Sequence, residues 1–122
     1  MMRLVIVESP FAGRGDTPAE RAHATAENVR YLRACLADCL RRGEAPFASH
    51  GLYTQPGVLD DTNAAERAHG IAAGFAWRPA AHATVVYTDR GMSSGMRAGI
   101  EHAATIPGHT VEYRMLSGEW AP

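Results

Sequence analysis

The segment ATVVYTDRGMSSG, from Ala83 to Gly95, decides the fold class of this chain. Its first half is a run of β-branched and aromatic residues, which predicts a buried strand over Ala83 to Thr88. The run stops at Asp89 and is followed by two glycines and two serines, after which helical spacing continues over about Ser94 to Thr105. Strand, polar turn and helix in this order are how α/β proteins form a binding site at the carboxyl end of a sheet.

The same arrangement occurs near the start of the chain. A strand is predicted from Arg3 to Val7, and it runs directly into Glu8 and the turn SPFAG. The sequence Thr17-Pro18-Ala19-Glu20 is a capping box with proline at the first helical position. The first helix is therefore expected to begin there and to run to Arg42, with Gly43 closing it; a break within Ala22 to Ala26 is the alternative.

Three further elements complete the pattern. A short second strand is predicted over Ala45 to Ala48, and an alternating last strand over Val111 to Met115. The spacing of Asn63 and Glu66 predicts the N-terminus of a second helix. This helix is expected to bury one apolar stripe, formed by Ala68, Ile71, Ala72, Phe75 and Ala76.

The order β-α-β-α-β-α-β predicts a single α/β domain over residues 1–122. Its parallel sheet of four to five strands, in the order 2-1-3-4, is expected to have helices on both faces. In that order strands one and three are neighbours, so Glu8 and Asp89 should lie side by side in one cleft at the topological switch point.

The composition excludes several classes of protein. The net charge of −1 offers no electrostatic surface for nucleic acid or for a membrane. No apolar run approaches the roughly 20 residues of a membrane-spanning helix, and no signal-peptide pattern is present, so a cytoplasmic protein is expected. All 12 positive charges are arginines, which excludes lysine chemistry such as Schiff-base formation.

No metal or cofactor is predicted. Cys35 and Cys39 lie four residues apart on the predicted first helix, a spacing that suits buried core thiols better than a redox pair or a zinc site. The 6 histidines show no ligand-type spacing.

Polar residues at the two turns and in the middle of the chain are the candidate ligand-binding residues. Each also has a structural interpretation: Asp89 as an Asx turn, Gly91 as a turn glycine, and the serines and aspartates as helix caps. The residues predicted to contact the ligand are Glu8, Ser9, Pro10, Phe11, His50, Tyr53, Asp60, Asp61, Gly91, Met92, Ser93 and Ser94.

The order and spacing of several segments resemble the nucleoside 2-deoxyribosyltransferase-like superfamily, most closely its small phage and bacterial members. These segments are VIVESPFAG (residues 5–13), the helix and strand from Asn28 to His50, YTQPGVLDD (53–61) and YTDRGMSSGM (87–96). The resemblance implies a flavodoxin-like three-layer sandwich. It also implies cleavage or transfer at the N-glycosidic bond of a deoxynucleoside or deoxynucleotide, with a glutamate as nucleophile.

The same resemblance implies catalytic residues. Asp89 and Gly91 match the Asp-x-Gly that precedes the family's catalytic helix, whereas the positions of the family's glutamate hold Gly95 or Gly99, depending on the register. Glu101 is the nearest carboxylate, and it is predicted to be catalytic together with Asp89. Glu8 and the Asp60-Asp61 pair are the alternatives to Glu101, and a non-catalytic nucleotide-binding, sequestering or sensor protein is the alternative function.

The expected partners are a small nucleoside or nucleotide and a second copy of the chain. Related enzymes complete their pocket with residues of a neighbouring subunit, which implies a homodimer or a larger homo-oligomer. Trp120 and the loop around Tyr53 are the candidate contacts between subunits.

Overall fold

The protein forms a parallel sheet with helices on both faces. The computed structural model describes residues 1–116 and Trp120. Within these residues the strands are β1 (Arg3–Glu8), β2 (Glu44–Phe47), β3 (Ala83–Tyr87) and β4 (Thr110–Arg114). They pair in parallel in the order β2-β1-β3-β4, which confirms the predicted α/β fold and strand order.

The helices begin where capping residues predicted them. The main ones are α1 (Pro18–Arg41), α3 (Ala64–Trp77) and α4 (Ser94–Ala104). The side chain of Thr17 accepts a hydrogen bond from the backbone N–H of Glu20, and that of Asn63 does the same from Glu66. After α1 the chain turns at Gly43, whose φ of +81° favours glycine.

Two short elements were not expected from the sequence. Helix α2 (Ser49–Leu52) follows β2 directly, and a 3₁₀ turn (Arg78–Ala80) follows α3. Both contribute lining residues to a cavity, Ser49 and His50 from α2 and Arg78 from the 3₁₀ turn.

The core lies on the face of the sheet that α1 covers. Val5 and Val7 of β1 and Val85 of β3 point toward this helix because alternate residues of a strand share a face. They pack against buried residues of α1, namely Tyr31, Leu32, Cys35 and Cys39. The intervening residues of the strands, including Glu8 and Thr84, therefore point toward α3 and α4.

The predicted apolar stripe of α3 is wrong. Ile71 is 41% exposed, and Ala72 and Ala76 are also exposed. The helix instead packs through glycines: a Cβ at Gly74 would overlap the side chain of Ser49, and one at Gly70 would lie 3.2 Å from Leu59. Because α2 and the loop after it lie so close to α3, only a glycine face of α3 fits against them. Ile71 and Phe75, from the predicted apolar stripe, border a cavity instead.

Trp120 packs on α1. The Trp120 ring lies 5.2 Å from the ring of Tyr31, and the Arg30 guanidinium lies 5.3 Å from the Trp120 ring centre. Trp120 therefore has contacts within its own chain, and its expected place at a subunit interface stays a prediction.

A group of charged side chains ties β4 to both β1 and β2. Arg114 donates to both carboxylate oxygens of Glu44 at 2.7 Å, and the two side chains are only 7% and 8% exposed. Arg3 and Glu112 extend this charged network. The arginines lower the pKa of Glu44, because they favour its charged form.

None of the described helices is both long enough and apolar enough to cross a membrane. Among residues 1–116 and 120, no group of three or more His, Cys, Asp or Glu side chains could hold a metal ion.

Candidate functional site

A cavity of about 250 Å³ lies beyond the carboxyl end of β1. Its walls come from the β1–α1 loop, helix α2 with the following loop, helix α3, and the N-terminal half of α4. The predicted ligand-binding residues that line it are Glu8, Ser9, Phe11, His50, Tyr53, Asp61, Ser93 and Ser94. The structure thus brings together eight residues that were chosen from separate parts of the sequence.

Glu8 is the buried carboxylate of this cavity. Its side chain is only 12% exposed, and its Oε2 accepts a hydrogen bond of 2.8 Å from Arg78. Oε1 receives no hydrogen bond from the described residues. Burial raises the pKa of Glu8 above its ordinary value of 4.5, while the Arg78 guanidinium acts in the opposite direction. Glu8 is therefore a carboxylate whose free oxygen could face a ligand.

Gly99 of α4 makes room for Glu8. A Cβ at this position would overlap the carboxylate of Glu8. The resemblance placed a glutamate at position 95 or 99. The side chain of Glu8 reaches the surface of α4 at Gly99, so a carboxylate from β1 contacts α4 at one of these two positions.

Arg78 is the functional candidate that sequence reasoning missed. It is 2% exposed, and it donates to Glu8, to Thr84 Oγ1 at 2.6 Å and to His102 Nδ1 at 3.0 Å. In the sequence this residue reads as an ordinary cation at a helix C-terminus. Only the 3₁₀ turn after α3, which has no clear sequence signal, turns its side chain toward the sheet.

Ser9 and His50 form a hydrogen-bonded pair in the cavity wall. The Ser9 Oγ and His50 Nε2 atoms are 2.8 Å apart. Burial lowers the pKa of His50 to about 4, because the charged imidazolium loses its hydration. The imidazole is therefore neutral near pH 7, and the pair offers hydrogen-bonding groups without net charge.

Tyr53 and Asp61 are each held by a neighbour. Trp77 Nε1 donates to the Tyr53 hydroxyl at 2.9 Å, and Arg67 lies 3.2 Å from Asp61. Both residues are thus fixed in the cavity wall by side chains of α3.

The N-terminus of α4 forms the opposite wall. Ser93 is its N-cap, since its Oγ accepts a hydrogen bond of 3.2 Å from the backbone N–H of Met96. Ser94 and Gly95 follow at the cavity surface. The positive end of the helix dipole therefore faces the cavity.

Asp89 does not line this cavity, although β1 and β3 are neighbours as predicted. Its carboxylate accepts a hydrogen bond of 2.5 Å from the Tyr31 hydroxyl, and both its oxygens lie 3.1 Å from the backbone nitrogen of Leu116. The expected common cleft for Glu8 and Asp89 is wrong, because Asp89 is turned toward α1 and the C-terminal segment.

Glu101 also lies outside the cavity and is exposed. Each residue of an α-helix turns about 100° around the axis, so a residue two positions after Gly99 faces nearly the opposite side. Because Gly99 contacts Glu8, Glu101 points away from it. The catalytic roles of Glu101 and Asp89 are therefore without support from the geometry.

Four other predicted contact residues do not reach the cavity. Pro10 is buried, and Gly91 forms a turn with a φ of +84°, followed by Met92. Asp60 is exposed, and its carboxylate caps its own turn by accepting from the backbone N–H of Thr62 at 2.9 Å. Asp60 borders a broader groove that adjoins the cavity and shares its walls at Phe11 and Arg67.

Comparison with known proteins identifies the family of the chain. No curated protein matches it significantly. Residues 3–114 match the model of the family described as "Domain of unknown function (DUF7768)", and the chain therefore belongs to this family.

Proposed function

We propose that the protein binds a nucleoside or nucleotide in the cavity and acts on its N-glycosidic bond, as a deoxyribosyltransferase or an N-glycosidase. One observation carries the proposal: Glu8, a largely buried carboxylate that lines the cavity, has one oxygen held by Arg78 and the other without a hydrogen bond from the described residues. A fixed carboxylate beside the anomeric carbon stabilises the positive charge that develops there when a glycosidic bond breaks.

Glu8 is the nucleophile in this proposal. Its Oε1 forms a bond to C1′ while the C1′–N bond breaks, and the electron pair of that bond leaves with the base, which takes a proton from solvent. Water then adds at C1′ and loses one proton to solvent, while the C1′–Oε1 bond breaks and its electrons return to the carboxylate. In a transferase a second base replaces the water and loses its N–H proton.

The remaining walls suit a nucleoside. Phe11 and Tyr53 supply ring surfaces, and the neutral Ser9–His50 pair supplies hydrogen bonds for a sugar hydroxyl. The cavity volume of about 250 Å³ lies just below the range of about 300–1,000 Å³ that is usual for small-molecule sites, which favours a ligand no larger than a nucleoside or a mononucleotide.

A non-catalytic nucleotide-binding protein is the second candidate. It is favoured by Gly95 and Gly99, since α4 presents no carboxylate to the cavity at the positions where the resemblance expects one.

One experiment decides between the two candidates. The protein is incubated with deoxynucleosides, deoxynucleotides and NAD, and released base is measured by chromatography. Glu8→Gln should abolish base release while changing ligand affinity only a few-fold, since the shape is kept and the charge is removed. Glu101→Gln is the matched control and should keep full turnover. Binding without release of base from any substrate would establish the non-catalytic alternative.

The pH dependence gives a second readout. Glu8 must be ionised to act, and its pKa is raised above 4.5. Turnover should therefore fall as the pH decreases through a midpoint above 4.5, rather than below it.

A homodimer and a cytoplasmic location complete the proposal. Cys35 and Cys39 are both free thiols, as expected in a reducing compartment. The exposed ring of Trp77, held against Tyr53, offers an apolar contact at the rim of the cavity. Sedimentation at micromolar concentration tests the assembly, and a monomer of 13.1 kDa would contradict it.

A further inference from the structure

Each of the three nitrogens of the Arg78 guanidinium donates a hydrogen bond. Nη2 donates to Glu8 Oε2 at 2.8 Å, Nη1 to Thr84 Oγ1 at 2.6 Å, and Nε to His102 Nδ1 at 3.0 Å. These acceptors come from β1, β3 and α4. The plane of the guanidinium is therefore fixed from three directions.

The hydrogen bonds also determine where the protons lie on two histidines. His102 accepts at Nδ1, so a neutral His102 must carry its proton on Nε2. Thr84 Oγ1 accepts from Arg78 and lies 2.7 Å from His109 Nε2, while His109 Nδ1 lies 3.2 Å from the carbonyl oxygen of Ala81. A carbonyl can only accept, so His109 donates from Nδ1 and accepts the Thr84 proton at Nε2.

In their neutral forms the two imidazoles are therefore opposite tautomers. A protonated His102 would present an N–H to the Arg78 Nε–H, whereas a protonated His109 would donate to Thr84 Oγ1 and displace the proton of that hydroxyl. The pKa of each histidine lies below its ordinary value, first because of burial and also because of the Arg78 charge. The stacked ring of Phe75, 4.1 Å from that of His102, holds this imidazole in place.

We propose that His102, Thr84 and His109 are positioning residues, which hold Arg78 in the one orientation that binds Oε2 of Glu8 and leaves Oε1 free for the substrate. Arg78 and Glu8 complete the chain of contacts that runs from His109 to the cavity. The effect on turnover rests on the proposed function, whereas the effect on the Glu8 carboxyl group does not.

The chain of contacts confers a defined pH response. The charged or titratable groups that face His102 and His109 are Arg78 and each other, and those that face Arg78 are Glu8 and the two histidines. As the pH falls through the lowered pKa of His102, the imidazolium N–H repels the Arg78 Nε–H and releases Arg78, whereas a charged His109 acts on Arg78 only through the repulsion between the two positive charges. Both histidines are half-buried, so protons can reach them.

The first test is the tautomeric state in the unmodified protein. Nitrogen-15 NMR at pH 7.5 should show His102 protonated at Nε2 and His109 protonated at Nδ1. The same tautomer on both rings, or an imidazolium on either, would overturn the proposal.

The second test compares two variants of His102. His102→Asn keeps an acceptor for Arg78, whereas His102→Phe keeps a ring against Phe75 but removes the acceptor. In His102→Phe the pKa of Glu8, followed by carbon-13 NMR, should rise by about half a unit or more, and kcat should fall with little change in KM. His102→Asn should restore both values toward those of the unmodified protein, and His69→Phe, an exposed histidine of α3, should change neither.

The outcomes separate this inference from the proposed function. If no substrate releases base but the Glu8 pKa moves as described, the proposed function fails and the positioning role stands. If base is released and His102→Phe leaves the Glu8 pKa and the pH profile unchanged, the positioning role is wrong. Should His102→Phe fail to fold, Thr84→Val takes its place, because it removes the acceptor of Arg78 Nη1. The Glu8 pKa and the pH profile of this variant then decide the positioning role in the same way.

Discussion

The contact between Gly99 and Glu8 predicts that Gly99→Ala destabilises the protein. The new Cβ would overlap the Glu8 carboxylate, which would have to leave its position beside Arg78. Breaking a buried ion pair costs about 3–5 kcal/mol, and replacing glycine by alanine within a helix returns about 1 kcal/mol. We therefore expect a net loss of about 2 kcal/mol, since Glu8 can regain some hydration in the cavity.

Thermal and urea unfolding measure this loss. For a chain of this size about 2 kcal/mol corresponds to a decrease of roughly 8 °C in Tm. Gly95→Ala is the matched control on the same helix, because its Cβ would meet only Ser93 Oγ at an ordinary 3.9 Å. This control should leave Tm unchanged or raise it slightly.

A double-mutant cycle identifies the cause. In a Glu8→Ala background the Gly99→Ala substitution should cost much less, giving a coupling energy of about 1 kcal/mol or more. Two results would refute the proposed geometry of the nucleophile, because they would show that Glu8 does not pack against α4. The first is a Gly99→Ala protein as stable as Gly95→Ala, and the second is additivity of the Glu8→Ala and Gly99→Ala effects.

Three further predictions follow from the charged and polar contacts. Glu44→Gln should destabilise the protein by about 3 kcal/mol in urea unfolding, because the buried Arg114 then keeps only the partly exposed carboxylate of Glu112; an effect below about 1 kcal/mol would contradict this ion pair. The pKa of Glu44 is lowered in the folded state, so the stability that the ionised Glu44 contributes is fully present above pH 4.5 and is lost as the pH falls through the lowered pKa. Urea unfolding midpoints measured between neutral and acidic pH would show this loss. Asp89→Asn should lower the free energy of unfolding by about 1–3 kcal/mol, because it weakens the contacts with Tyr31 and Leu116, while calorimetry finds ligand affinity unchanged. A large loss of affinity would show that Asp89 contacts the ligand.

The fold was predictable because its signals are local. The capping residues Thr17 and Asn63 determine where two helices begin, and the apolar run of β3 identifies a strand buried on both faces. The chain order and the handedness of β-α-β connections then determine the strand order.

The site was only partly predictable because its central contacts are not local. Glu8 and Ser9 could be identified, since a polar residue at the end of a buried strand marks the edge of a sheet. Arg78 could not, because its importance depends on Glu8, 70 residues earlier in the chain. Asp89 and Glu101 were misjudged for another reason: their positions along the chain are close to the cavity, but their side chains face α1 and solvent.

The ion pair between Arg114 and Glu44 also bears on how the protein folds during synthesis. It joins residues 70 positions apart and connects the two outermost strands of the sheet. Until Arg114 has left the ribosome, β1, α1 and β2 can form, but Glu44 then has only the partly exposed Arg3 as a cation and lacks the two hydrogen bonds from Arg114. The first half of the chain is thus expected to be only marginally stable during translation. The sheet is expected to become stable in one late step, when β4 pairs with β3.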